Sequence, residues 1–378
     1  MPGQKWSPEE EAKLRELVKT NLTATEIAHI LKRSTTAIRR KAKRLKVKMN
    51  QKKTNELKPT FSDVVEQILK RIKTIPMEIM EVIKAPEISA GTGDEEQAIL
   101  HLTDIHIGRK TDTFNSLVAR IRMVFLVKAV LKIVALHRVA GPIKVLNVFL
   151  TGDNINSEDS GYRVDLSEIE MIMRDQIYGK NGIVALLTWM FKVFLVNFEE
   201  IHVYCVRGNH GRGPKGSSEK TNWDDVVYYT LQVKFEDNPR IQFNIADSFY
   251  QIIQIYNKKF LLAHGDQIRG GTYGIPLYGL LQRMLRWATS MPESWDYFFC
   301  GHWHVVAEIE QNNQTLYVGG TFVSDDDYTL RQYGWNACTK QVLVLIHPRQ
   351  GITARYKINL LNAKKMESME VPTNGNHN

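Results

Sequence analysis

Apolar residues recur along the chain at two periods. Between Trp6 and Val47 the spacing is helical: Leu14, Leu17 and Val18, then Ile27, Ile30 and Leu31, then Ile38, Ala42 and Leu45 at i, i+4 and i+7. The polar signals agree. Segments 7–10 (SPEE) and 23–26 (TATE) have the form of capping boxes, and Pro8 stands at a first helical position. Three short helices are predicted. A further amphipathic helix is predicted over 61–74, where Val64, Val65, Ile68, Leu69 and Ile72 share one face.

From residue 97 the pattern changes to short apolar runs. Strands are predicted at 98–103, 143–152, 200–208, 241–245, 249–256, 258–263, 296–300, 305–310, 315–319, 341–347 and 352–358, with helical stretches near 115–139 and 165–198. Strands alternating with long helices argue for a layered α/β fold. Segment 85–97, rich in Gly, Pro, small and acidic residues, reads as a flexible linker. The expected organisation is a helical module over 1–48 and a linker over 49–96 containing the 61–74 helix. A large α/β domain follows over 97–362, then a flexible tail over 363–378.

Composition adds compartment and charge. The chain has 378 residues, 43% hydrophobic and 24% charged, enough for one large domain and a smaller one. No apolar run approaches the roughly 18–20 residues of a membrane span, and the first residues contain no apolar signal core. A cytoplasmic protein with no membrane partner is therefore expected. Three scattered cysteines, Cys205, Cys300 and Cys338, suit a reducing compartment and support neither a disulfide framework nor a thiolate metal site.

The charge is uneven. Residues 1–60 hold 16 Lys and Arg against 6 Asp and Glu, a net of +10, while the whole chain carries only +9. A basic module on a near-neutral body points to an anionic partner for that module. In the third predicted helix Arg39, Arg40, Lys43 and Arg44 lie off the apolar stripe. Residues 5–47 resemble SANT/Myb-like three-helix DNA-binding modules, a helix-turn-helix arrangement whose last helix enters a major groove. The resemblance implies DNA as partner, with Arg39, Arg40, Lys43 and Arg44 as its contacts. That helix has no Asn or Gln for adenine, so phosphate contact is expected over sequence reading. A protein-interaction module with a solvated basic face is the alternative. The 61–74 helix has two candidate partners, the large domain and a second copy in a homodimer.

The predicted strands end in chemistry. Asp104 and His106 follow the first, Gly152-Asp153 the second, Gly208-Asn209-His210 the third; His264 closes 258–263, and Gly301-His302 and His304 follow 296–300. Polar groups placed after apolar runs gather in the crevice at strand ends. Carboxylate, amide and imidazole without thiolate suit a pair of divalent cations such as manganese, iron, nickel or zinc. Two cations sharing a carboxylate polarise a phosphoryl oxygen and supply a hydroxide for in-line attack.

This set, Asp104-x-His106, Gly152-Asp153, Gly208-Asn209-His210, His264 and Gly301-His302-x-His304, resembles the calcineurin-like metallophosphoesterase superfamily over about residues 97–360. The stretch ILHLTDIHIG (99–108) is similar to the opening of SbcD-type double-strand-break repair nucleases. The resemblance implies a β-sandwich flanked by helices and two divalent ions, manganese first among them. It assigns Asp104, His106 and His304 to one ion, Asn209, His264 and His302 to the other, and Asp153 to both as bridge. It makes Asp153 and His210 the catalytic pair, with His210 at the leaving group.

Arg207 and Arg212 flank this motif and are candidates for substrate phosphate, with structural roles as the alternative. His29, His101, His137 and His202 read as structural, and Trp303 as a packed aromatic or a base-stacking one. Gly211 replaces the acidic residue expected after Asn-His, and no Arg follows Gly152-Asp153 closely. That departs more from Ser/Thr phosphoprotein phosphatases than from nucleases. The expected function is a two-metal phosphodiesterase acting on DNA. The alternatives are a phosphomonoesterase or nucleotide phosphodiesterase localised to DNA, and a DNA-binding scaffold with a regulatory metal site.

Overall fold

The computed structural model describes residues 6–20, 22, 24–47, 83–85, 91–157, 169–214, 216–268, 276–324, 337–361 and 363. The helix expected at 61–74 and nearly all of the tail expected at 363–378 lie outside them. The chain divides into two units, Met1–Ile68 and Leu69–Asn378.

In the first unit, helices α1 (Pro8–Leu17), α2 (Ala24–Ile30) and α3 (Thr35–Arg44) share a buried cluster of Leu14, Val18, Ile27, Ala28 and Ile38. Ser7 caps α1 through both bonds of a capping box, Glu10 N–H to Ser7 Oγ at 3.1 Å and Ser7 N–H to Glu10 Oε2 at 2.9 Å. Thr23, the start of the second expected box, lies outside the described residues. Ser34 caps α3. Arg33 pairs with Glu10 and stacks over Trp6, and Lys41 pairs with Glu11.

The second unit is mixed α/β with two sheets. In the first sheet the order is β11-β10-β1-β2-β3-β4, built from β1 (Glu96–Leu102), β2 (Ile143–Leu150), β3 (Glu200–Cys205), β4 (Ile241–Ile245), β10 (Lys340–His347) and β11 (Gly351–Asn359). Strands β1 to β4 run parallel, and β10 and β11 are antiparallel additions. The second sheet is β5-β6-β7-β9-β8, from β5 (Tyr250–Ile255), β6 (Lys258–Ala263), β7 (Tyr297–Cys300), β8 (Ala307–Gln311) and β9 (Gln314–Val318). Its centre, β6-β7-β9, is parallel.

Strand alternation builds the layers. Ala98, Leu100 and Leu102 of β1 face the cluster shared with α4 (Ser116–Arg138), α5 (Met173–Tyr178), α6 (Ile183–Asn197) and α7 (Trp223–Lys234). Ile99 faces the opposite way. It joins Phe149, Phe260, Leu262, Phe299, Val342 and Val344 in a core between the two sheets. A third cluster packs the second sheet on α8 (Leu277–Ser290) through Leu280, Met284, Trp287 and Phe298. Phe149 is fully buried, with Phe260 and Phe299 edge-on at 5.7 and 5.2 Å. Replacing Phe149 with Ala is expected to lower stability by about 3–5 kcal/mol, measured by chemical denaturation; a change under about 1 kcal/mol would show that the sheets do not depend on this side chain.

The helices differ from expectation in two ways. The 165–198 stretch is two helices among its described residues, broken where Gly179 and Gly182 stand, and α7 and α8 were not anticipated. Met173–Asn197 is long and apolar enough for a membrane span by length and composition, contrary to the sequence expectation, but 67% of that window is buried inside the domain. It is the core helix layer of the first sheet.

Candidate metal centre

Parallel strands deliver their C-terminal ends to one edge, so β1, β2 and β3 of one sheet and β6 and β7 of the other bring their terminal loops together. Asp104, His106, Asp153, His302 and His304 all have positive φ, between 52° and 71°, and make up half of the non-glycine residues in that conformation among the described residues. The left-handed region costs on the order of 1–2 kcal/mol for such residues. The loops are held there by close nesting. Gly152, with φ of 92°, lies so near the next loop that a Cβ would sit 2.3 Å from Gly208 N; a Cβ on Gly208 would sit 2.1 Å from Asp153 Oδ1.

Side-chain atoms converge in two groups. His106 Nε2 and His304 Nε2 are 3.0 Å apart, and they lie 3.6 and 3.3 Å from Asp104 Oδ1. The other Asp104 oxygen accepts from Thr103 Oγ1 at 2.6 Å and His302 N–H at 2.9 Å, while Oδ1 is buried with no hydrogen-bond partner. In the second group Asp153 Oδ2 and Asn209 Oδ1 each lie 2.9 Å from His264 Nε2, whose Nδ1 is 2.7 Å from the Thr151 carbonyl. The His302 ring is 5.1 Å from that of His264. Three sets, Asp104/His106/His304, His106/Asp153/His210 and Asp153/His264/His302, each keep one ligand atom per residue within 4.8 Å of the others. Asp153 belongs to two of them. The His210 ring stands 4.7 Å from His106, and its backbone N–H donates to Asp153 Oδ1 at 2.7 Å.

The electrostatics ask for positive charge. Burial opposes ionisation of Asp104, yet the imidazoles of His106 and His304 beside it hold its carboxyl well below the usual range. Asp153 is likewise lowered, against burial, by the charge of His264. Burial works against an imidazolium at His264, but the Asp153 carboxylate outweighs it and pushes His264 up to about 10. A proton there stands where a cation would balance the buried carboxylates. Burial pushes His210 down to about 3 and His302 to about 4, and lowers His106, leaving neutral imidazoles suited to ligation. Oxygen and imidazole donors, the unpartnered Asp104 Oδ1 and the convergence of Nε2 atoms fit divalent metal ions.

The two candidate phosphate arginines are each paired with a carboxylate. Arg207 Nε donates to Asp225 Oδ2 at 2.5 Å and its NH1 to the Asp247 carbonyl; Arg212 pairs with Asp266. Sequence reasoning missed those partners, and it also missed Arg109, which is 7% exposed and whose charge helps disfavour the His210 imidazolium. It missed Asp224 too, buried at the start of α7, where burial and the Asp153 charge push the carboxyl up to about 6. The signal was present in Asn222-Trp223-Asp224-Asp225, a capping residue followed by an acidic first turn. Of the histidines read as structural, His101 is 2.8 Å from Thr151 Oγ1, His137 is 2.6 Å from the Tyr356 hydroxyl and His202 is 3.3 Å from Glu200. Trp303 packs edge-on to His302 at 4.7 Å.

The solved structures to which the chain is similar include these three. Vacuolar protein sorting 29 from Cryptosporidium parvum is 15% identical, with 70% of this chain and 98% of that one covered and a TM-score of 0.33. A predicted phosphoesterase from Streptococcus pneumoniae is 12% identical, covering 69% and 98%, TM-score 0.29. An archaeal phosphodiesterase is 10% identical, covering 69% and 99%, TM-score 0.30. No curated protein sequence matches the chain. Residues 98–306, more than half of the chain and the span that holds every group of the centre, match the family described as calcineurin-like phosphoesterase; the chain belongs to that family.

Proposed function

We propose that the protein is a two-metal phosphodiesterase acting on nucleic acid. The observation that supports the chemistry is the convergence of ligand atoms, with Asp104, His106 and His304 in one set and Asp153 within reach of His106 in a second and of His264 and His302 in a third. In this reading Asp104, His106 and His304 hold one ion, Asn209, His264 and His302 the other, and Asp153 both; manganese is the expected ion. Bound divalent ions would polarise the phosphoryl group and make water a nucleophile at neutral pH. The chain's own residues do the rest. Asp153 fixes the spacing of the two groups, and His210, a neutral imidazole beside Asp153 and His106, donates a hydrogen bond to the leaving oxygen.

Nucleic acid as substrate rests on α3. Arg39, Arg40, Lys43 and Arg44 are exposed, while Arg33 and Lys41 are paired with Glu10 and Glu11. Four exposed cations on one short helix suit phosphate contacts. Binding DNA there raises the effective concentration of phosphodiester at the centre. Replacing Arg39 and Arg40 together with Ala is expected to weaken DNA binding and flatten the log–log salt slope by about 1.8, at 0.9 for each phosphate no longer neutralised. Fluorescence anisotropy at several salt concentrations measures it, and an unchanged slope would remove this helix from the interface.

The function itself is tested by offering the full chain with Mn²⁺ labelled single- and double-stranded DNA beside bis-aryl and mono-aryl phosphates. Cleavage of DNA and of the bis-aryl ester is expected. Hydrolysis of the mono-aryl ester with DNA left intact would make it a phosphomonoesterase instead. DNA binding with no hydrolysis of any substrate would favour a scaffold.

A further inference from the structure

The first turn of α7 grips both loops that supply the second ligand group. Asp224 is fully buried, and its carboxylate receives four N–H bonds. Oδ2 accepts from the backbone of Asp153 at 3.0 Å and of Gly208 at 2.8 Å. Oδ1 accepts from the backbone of Asn154 at 3.1 Å and from its side-chain amide at 2.9 Å. The neighbours complete the grip. Asn222 Nδ2 donates to the Gly208 carbonyl at 2.9 Å while its oxygen caps Asp224 N–H at 2.8 Å. One turn on, the Tyr228 hydroxyl takes the second Asn154 amide hydrogen at 2.8 Å and donates to the Val206 carbonyl at 2.9 Å.

We infer that Asp224 is a positioning residue for the metal centre, holding the Asp153–Asn154 turn and the Gly208 turn in the one register in which Asp153 and Asn209 meet at His264. This rests on the two-metal reading of the site. The physical reason is that Asp153 and Asn209 come from different strands, β2 and β3, and neither loop is tied to the other by strand pairing beyond Leu150 and Cys205. Past those residues the Asp224 carboxylate takes backbone N–H bonds from both loops, beside the Tyr228 hydroxyl and the His210 N–H to Asp153 bond. A carboxylate is the only side chain that accepts four N–H donors and offers none in return. An amide at this position accepts on one oxygen and turns its own N–H₂ against the remaining donors, so the two loops separate. Gly211 belongs to the same arrangement: a Cβ there would sit 2.2 Å from Asn222 Oδ1 and 3.0 Å from Asp224 N, so a side chain after Asn209-His210 would displace the Asn222 cap.

The test compares Asp224→Asn with Tyr228→Phe in the full chain. The second variant removes a hydroxyl from the same buried network but leaves the carboxylate's backbone bonds in place. Titration calorimetry with Mn²⁺ and melting of the metal-free proteins are the readouts. Asp224→Asn is expected to lose about 10- to 100-fold in Mn²⁺ affinity, the usual effect of removing a group that orients ligands. Tyr228→Phe, which leaves all four N–H bonds to the carboxylate in place, is expected to melt earlier but to lose far less Mn²⁺ affinity than Asp224→Asn. If Asp224→Asn does not fold, Asp224→Glu, which keeps the carboxylate one methylene farther out, takes its place with the same expectation. Wild-type affinity in the Asp224 variant, or an equal loss in Tyr228→Phe, overturns the positioning role. A wild-type protein that takes up no Mn²⁺ overturns the metal centre and this role together.

Discussion

Replacing Asp153 with Asn is expected to reduce phosphodiester hydrolysis on the order of 10³-fold or more, since a metal centre supplies several kcal/mol of charge stabilisation at about 1.4 kcal/mol per decade. Asp153 is 1% exposed, and it lies against His264 on one side and takes the His210 N–H on the other. It belongs to two of the three convergent sets, as does His106. Asn keeps the shape, so the loops nested through Gly152 and Gly208 stay in place and the metal-free protein should melt near the wild type. What is lost is a negative charge. Without it His264 loses the largest pull toward protonation, and the site asks for less compensating positive charge. The variant should therefore also bind fewer Mn²⁺ per chain, measured by metal analysis after dialysis, while DNA binding measured by anisotropy is retained. Full activity in Asp153→Asn would remove this residue from the reaction.

Much of this centre was legible because the fold writes it in a repeated local form. An apolar strand followed within a few residues by an acid, amide or imidazole, in three cases just after a Gly, occurs at β1, β2, β3, β6 and β7, and the order of those segments is a one-dimensional signal. The layered α/β class followed from the same alternation. What was not legible depends on partners distant in sequence. Arg207 and Arg212 look like free cations beside a motif, but their carboxylates lie 18 and 54 residues on, at Asp225 and Asp266. Helix α7 was missed because Val226, Val227, Tyr228, Tyr229 and Thr230 are strand-favouring residues. Its helical state is decided by the Asn222 cap and by packing of Val227, Tyr228 and Leu231 in the core. Tertiary burial overrides propensity there, and the same override hid Asp224, whose meaning depends on two loops it does not adjoin in sequence.

Replacing His210 with Ala is expected to lower hydrolysis by roughly 10²–10⁴-fold, the range for a positioned group that assists proton transfer. The size of the loss should depend on the leaving group. A p-nitrophenolate needs little assistance and should suffer least; an alkoxide, as in DNA, should suffer most. The protonation state sharpens the prediction. Burial pushes His210 down to about 3; Asp153 opposes it, and the charges of His106, Arg109 and His304 act with burial. Cations bound beside Asp153 would weaken that opposition, so their presence also favours the neutral ring. With its pKa lowered, His210 becomes a cation only as pH falls toward 3, and across about pH 5 to 8 it stays neutral. It then acts as a hydrogen-bond donor rather than as an imidazolium acid. Two consequences can be measured. The wild-type pH profile of kcat/KM should show no limb in that window that disappears in His210→Gln, and His210→Gln, which keeps a donor, should retain more activity than His210→Ala. A wild-type limb abolished by His210→Gln would mean that the ring works as its cation, against the burial that surrounds it.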